Sequence, residues 1–271
     1  MPPLKPLFAT AMLRAFGLFA AGLVCLALTG TTQAGISVSP LSSILDLNNS
    51  KSKILTVFNT SPAKSVAIKV TVRSWRLDKQ GNDIRKASED LLIFPGQFVL
   101  PPLSRRSIRI SYQPPQAPPI EKSYRVIVQQ VPVNLAGNNK VQTGVNLVIS
   151  YATAFYVEPS SAMSEVALEQ VSVDAKKLHF TLNNSGNAHT HLRQAQIVIT
   201  QDKQRFMITQ PKALKGIFNA NMLAGSQREF SLVWPESVSQ ALDFKAPMEL
   251  ELSLACESCA SNSAVLRAPI E

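Results

Sequence analysis

Val66–Arg73 reads VAIKVTVR, and its alternation decides the fold. Val66, Ile68, Val70 and Val72 share one face of an extended chain; Ala67, Lys69, Thr71 and Arg73 share the other. Successive side chains of a strand point to opposite faces, so apolar residues at a period of two predict a half-buried β-strand. The pattern recurs outward from this stretch. Ile108, Ile110 and Tyr112 alternate with Arg109 and Ser111. Tyr124, Val126 and Val128 alternate with Arg125, Ile127 and Gln129. Each run is short, rich in β-branched and aromatic residues, and bounded by Pro, Gly or Asn, the pattern of strands in a sandwich. Pro101-Pro102, Pro114-Pro115 and Pro118-Pro119 cut the chain into short connections, because proline has no N–H for a central ladder. Helical periodicity never persists, and the fold class predicted is all-β.

The composition shifts at Glu158-Pro159-Ser160-Ser161-Ala162, from a long apolar run to small polar residues. This places a domain boundary there, giving a first domain over 35–159 and a second over 160–271. Both lengths suit an immunoglobulin-like sandwich of about 100 residues. Strands are predicted in the second domain at Val166–Val173, Lys177–Asn183, Gln194–Thr200, Glu229–Trp234 and Met248–Cys256, with a turn at Asn183–Asn187.

Residues 1–34 read as a secretory signal. Lys5 and Arg14 precede the uncharged apolar run Phe16–Leu28, and Thr32-Gln33-Ala34 offers small residues for cleavage before Gly35. The run is shorter than the roughly 20 apolar residues that a membrane span needs. Cys25 falls inside the segment to be removed. Losing Lys5 and Arg14 takes the formal net charge from +9 to +7. The remaining basic residues are scattered over strand-like segments. They read as a solvated basic surface or a face for an acidic protein, and no nucleic acid partner is expected. No later stretch is apolar enough for a membrane helix, so the mature chain is not expected to insert in a membrane.

Cys256 and Cys259 remain after export, and an oxidising compartment favours a disulfide between them. A redox C-x-x-C pair would want its first cysteine at a helix N-terminus, whereas Met248–Ala255 alternates like a strand. A zinc site would need further ligands, and His179, His189 and His191 lack a ligand spacing. Catalytic chemistry finds no footing. There is no glycine-rich phosphate loop, His189 and His191 read as surface or strand-edge histidines, and Asp174, Asp202 and Asp243 sit singly at turns.

Val145–Val157, VNLVISYATAFYV, is the stretch that bears on function. Val145, Leu147, Ile149 and Tyr151 form one row, and Asn146, Val148 and Ser150 the other. It reads either as a central strand buried on both faces or as an edge strand whose apolar row awaits a partner. Edge strands of that kind are aggregation hazards that proteins normally blunt.

Several segments in order carry a family resemblance. They are Ile36-Ser37-Val38-Ser39-Pro40, Phe94-Pro95, Leu103–Ile110 (LSRRSIRI), Glu121–Val128 (EKSYRVIV) with Val131-Pro132, the long apolar strand, and Leu182–His189 (LNNSGNAH). Their order and spacing resemble the periplasmic chaperones of chaperone–usher pili, most closely the archaic branch that serves spore-coat-like pilus subunits. The resemblance implies two immunoglobulin-like sandwiches in a boomerang. The last strand of the first would be lent to a pilus subunit that lacks its own final strand, with delivery to an outer-membrane usher. Burial supplies the energy, at roughly 1.5–3 kcal/mol per Val, Leu or Ile side chain, so no cofactor is implied. Relatives clamp the subunit's terminal carboxylate with basic residues at positions that here fall near Ser42 and Ala154. Glu158 stands where many carry an arginine. The resemblance therefore moves the anchor to Arg125, in Ser123-Tyr124-Arg125, with Arg106 and Arg109 as alternatives. The competing reading is a secreted immunoglobulin-like structural or adhesive module.

Overall fold

The computed structural model describes residues 35–132 and 148–255, with the backbone of Cys256 and of 263–270. Among the described residues ten strands precede the 159–165 link. They are β1 (Ser37–Ser39), β2 (Ser42–Asp46), β3 (Ser52–Phe58), β4 (Val66–Leu77), β5 (Asp83–Ala87), β6 (Leu91–Phe94), β7 (Gln97–Leu100), β8 (Arg105–Tyr112), β9 (Lys122–Val131) and β10 (Ser150–Glu158). They form two sheets, ordered β1-β3-β8-β6 and β2-β10-β9-β4-β5, with β7 also paired to β4. The chain leaves β1 in one sheet and, after Pro40, enters the other as β2, parallel to β10.

The inward rows are those the alternation predicts. Ile68 and Val70 on β4, Ile108, Ile110 and Tyr112 on β8, and Tyr124, Val126 and Val128 on β9 are buried in one core with Phe155 and Val157 of β10. Each such side chain withdrawn from water is worth about 1.5–3 kcal/mol.

After the link come β11 (Val166–Val173), β12 (Lys177–Asn184), β13 (Thr190–Gln201), β14 (Gln204–Ile208), β15 (Ala220–Met222), β16 (Ser226–Val233), a single helical turn α1 (Glu236–Ser239), β17 (Met248–Cys256) and β18 (Ser263–Ile270). Their sheets run β11-β12-β16 and β14-β13-β17-β18, with β15 on β13. Leu178, Phe180 and Leu182 face Ile197, Ile199, Leu250 and Leu252 in a second core. The predicted bounds of β11 and β17 are the observed ones. The predicted turn after β12 is held by Asn184, which is fully buried. Its Nδ2 donates to the carbonyls of Ala188, Met222 and Leu223, and its Oδ1 accepts from Glu165 N and Gly186 N. Gly186 is required there by packing, since a Cβ would lie 2.4 Å from the Met163 carbonyl oxygen.

Cys259 and the side chain of Cys256 lie outside the described residues, as do Val145, Leu147 and the whole of 1–34. No helix among the described residues is long and apolar enough to cross a membrane.

Candidate functional site

The two sandwiches meet along a cleft of about 400 Å³. On the first sandwich its wall is the sheet face opposite the core. Ala154 of β10 lies between Ser42 of β2 and Arg125 of β9 in the pairing register. Ser42 and Ala154, where the family resemblance looks for basic residues, are thus immediate neighbours and line the cleft together with Arg125.

Arg125 points away from the core row of Tyr124 and Val126. Its guanidinium carbon sits 3.5 Å from the centroid of the Trp75 ring. An arginine stacked on an indole face gains cation–π attraction, most where water is excluded. Its Nη2 stands 3.6 Å from Asp83 Oδ1, and its Nε is buried without a partner. Asp83 is occupied elsewhere. It accepts from Trp75 Nε1 at 2.7 Å and pairs closely with Arg85. Burial alone would raise the Asp83 carboxyl. The hydrogen bonds from Arg85 and Trp75, with the Arg125 charge, outweigh it and hold the group below the usual carboxylate range. Arg106 and Arg109, the other candidates, are exposed on β8 in the opposite sheet; Arg106 lies over the Phe98 ring.

The far wall comes from the second sandwich: His191 on β13, Asn219, Asn221 on β15 and Arg228 on β16. Behind it the two sandwiches are joined by buried polar contacts. His189 Nδ1 lies 2.6 Å from Glu121 Oε2, with both side chains almost wholly enclosed. The His189 ring stacks on Tyr156 of β10 at 3.6 Å, and Asn221 Nδ2 donates to the Tyr156 hydroxyl at 2.6 Å. Trp75, Ala154, Tyr156 and Leu223 form a small apolar cluster between the sandwiches. The expectation that His189 is a surface or strand-edge histidine is therefore corrected. It is buried at the domain junction, where a carboxylate 68 residues earlier in the chain satisfies it.

Of the row on the long apolar strand, Ile149 and Tyr151 are half-buried against the first core, and the Tyr151 hydroxyl donates to the Ile36 carbonyl at 3.1 Å. Across the strand, Val148 is exposed. From Ala154 to Val157 the strand is buried on both faces, with β9 on one edge and β2 on the other. β2 pairs only from Ala154 onward, so Ser150–Thr153 have β9 on one edge and no strand on the other among the described residues. The strand is thus central at its C-terminal end and an edge at its start. Among the described residues no group of His, Cys, Asp and Glu could hold a metal ion.

Residues 35–162 match the model of the pili and flagellar-assembly chaperone, PapD N-terminal domain. No curated protein matches the chain in sequence. Among solved structures it is similar to the class 5 fimbriae chaperone CfaA. The TM-score is 0.55 at 18% identity, over 86% of this chain and 98% of that one. It is equally similar to the CsuC–CsuE chaperone–tip adhesion subunit pre-assembly complex from archaic chaperone–usher Csu pili of Acinetobacter baumannii. That match has a TM-score of 0.55 at 14% identity, over 88% of this chain and 98% of that one. The first sandwich is thus similar to the N-terminal domain of pili and flagellar-assembly chaperones, and the chain has the two-domain, all-β fold seen in the fimbrial chaperones.

Proposed function

We propose that the protein is a periplasmic chaperone that binds pilus subunits by strand addition and delivers them to an outer-membrane usher. The observation that carries this is the half-open strand β10. Its edge at Ser150–Thr153, unpaired by any strand among the described residues, ends where β2 begins, at the mouth of a cleft containing Arg125. A subunit strand laid along that edge in the direction of β2 would end beside Ser42, with its terminal carboxylate in the cleft. Main-chain hydrogen bonds give such an added strand its affinity, and pockets for alternate side chains give its specificity. Ile149 and Tyr151 belong to the row that would continue into the subunit, with Leu147 and Val145 before them. Arg125 is the carboxylate anchor in this reading, since a guanidinium grips a carboxylate with two parallel hydrogen bonds. The absence of a basic side chain at Ser42 and Ala154 favours the archaic branch of the family.

The test is capture of a co-exported pilus subunit. Ile149→Asp is expected to abolish capture, because an unpaired carboxylate in an apolar groove is costly. Val148→Asp, on the exposed opposite row, is the control expected to capture normally. Equal capture by wild type and Ile149→Asp would refute strand donation.

A further inference from the structure

The cleft holds three charged side chains among the described residues: Asp83, Arg125 and Arg228. Asp83 lies 3.6 Å from Arg125 but is paired more closely with Arg85, so one carboxylate is shared between two arginines of the first sandwich. Arg228 brings a further positive charge to the cleft from the second sandwich.

The position of Arg228 is unusual for its strand. Along β16, Arg228, Phe230 and Leu232 fall on one row, and Phe230 and Leu232 are buried in the second core. Arg228 occupies the cleft end of a row that is otherwise apolar, so its side chain leaves the sandwich into the junction. It lies against Gly81 of the β4–β5 turn: a Cβ on that glycine would stand 2.1 Å from Arg228 Nη2. Its Nη1 donates to the Asn221 carbonyl at 3.2 Å, its guanidinium carbon lies 5.2 Å from the centroid of the Phe230 ring, and its Nε is buried with no partner. No carboxylate among the described residues pairs with it within 4 Å. Burial pushes the guanidinium below the usual arginine value, and only the more distant Asp78 works against this. A half-buried cation held by one carbonyl and an aromatic ring, with no carboxylate beside it, in a cleft that opens to a partner, is a group that an incoming anion would complete.

We infer that Arg228 is the second cation of an anion site shared by the two sandwiches, and that this site takes a carboxylate between Arg125 and Arg228. The assignment rests on the reading of the cleft as the seat of a chain-terminal carboxylate, and adds to it a residue from the other domain. Capture of the carboxylate then depends on the two sandwiches keeping their relative placement.

The experiment uses the mature protein and an acetylated six-residue peptide of alternating valine and threonine, prepared as the free acid and as the C-terminal amide. Affinities come from calorimetry at low ionic strength, and the Nε–H signals of Arg125 and Arg228 from ¹⁵N NMR. Wild type is expected to prefer the acid by about tenfold, with both arginine signals shifting. Arg228→Gln is expected to remove most of that preference without changing affinity for the amide, and Arg228→Lys to keep part of it. The unchanged amide affinity separates a lost charge from a damaged interface. If Arg228→Gln keeps the acid preference while Arg125→Ala loses it, the second cation is refuted and the Arg125 anchor stands. If wild type shows no acid–amide difference, both fall.

Discussion

His189 and Glu121 bind the two sandwiches to each other across a buried contact of 2.6 Å. Glu121 Oε2 is also within 3.3 Å of the His189 backbone N–H, and Glu121 N donates to the Asn187 carbonyl at 2.9 Å. The carboxylate is thus gripped by ring and backbone together. Removing one partner of a buried pair leaves the other desolvated and unpaired, which typically costs about 3–5 kcal/mol. Glu121→Ala is expected to destabilise the protein on that scale and to uncouple unfolding of the sandwiches. Chemical denaturation should then show two transitions in place of one. A single transition with an unchanged midpoint would refute a role for this pair in domain coupling.

Glu158 sits near the same junction with the opposite character. Burial raises its carboxyl above the usual range, the nearby charge of Glu121 adds to this, and so does Asp46, its register partner on β2. A carboxyl raised in the folded state binds its proton more tightly there than in the unfolded chain. Its penalty is full above the folded pKa and fades as pH falls through it. Glu158→Gln is therefore expected to raise the melting temperature near neutral pH, with the gain shrinking on acidification. A gain that is constant or grows toward acid would contradict this assignment.

Tyr151 gives a local test of how firmly the start of β10 is held. Its hydroxyl donates to the Ile36 carbonyl at 3.1 Å, tying the open end of the strand to the first residues of the sandwich. A neutral hydrogen bond contributes about 1 kcal/mol net. Tyr151→Phe is expected to lose about that much stability and to speed amide exchange at Ser150–Thr153 while Val157 stays protected. Hydrogen exchange unchanged at Ser150–Thr153 would show that the edge is fixed by packing alone.

The strands were legible in the sequence because each inward row is local: Val166–Val173 and Met248–Cys256 appear with the predicted bounds. The cleft was harder to read because its parts are far apart along the chain. His189 reads as a surface or strand-edge histidine, since nothing near it in sequence announces Glu121. Alternation with Tyr124 and Val126 predicts that Arg125 points away from the core row, and its side chain does so, into the cleft. Two features of the sequence do point to the junction. Trp75 and Leu77 put large apolar groups on the row of β4 opposite its core face, which marks a second buried surface. Arg228 interrupts an apolar row that continues through Phe230 and Leu232. A charge in such a row marks the place where a core side chain leaves its sandwich.

Gly81 is where these long-range demands converge on a single backbone. Its φ of +87° lies in the region that L side chains rarely adopt, and the Arg228 guanidinium occupies the space a Cβ would need. Around it the β4–β5 turn docks on β16: Glu229 N donates to the Lys79 carbonyl at 2.7 Å, and Gln80 Nε2 donates to Glu229 Oε2 at 3.1 Å. Gly81→Ala combines two costs. The left-handed backbone is strained by roughly 1–2 kcal/mol for a residue with a Cβ. The guanidinium, being the free end of a flexible side chain, must swing away, whereas the backbone contacts of the turn need not break. The expected result is a folded protein, less stable by about 1–2 kcal/mol, in which the ¹⁵N signal of Arg228 Nε moves while those of the two cores stay in place. Loss of the fold would show that the turn cannot adjust. An Arg228 signal that does not move would show that the guanidinium is not packed against Gly81.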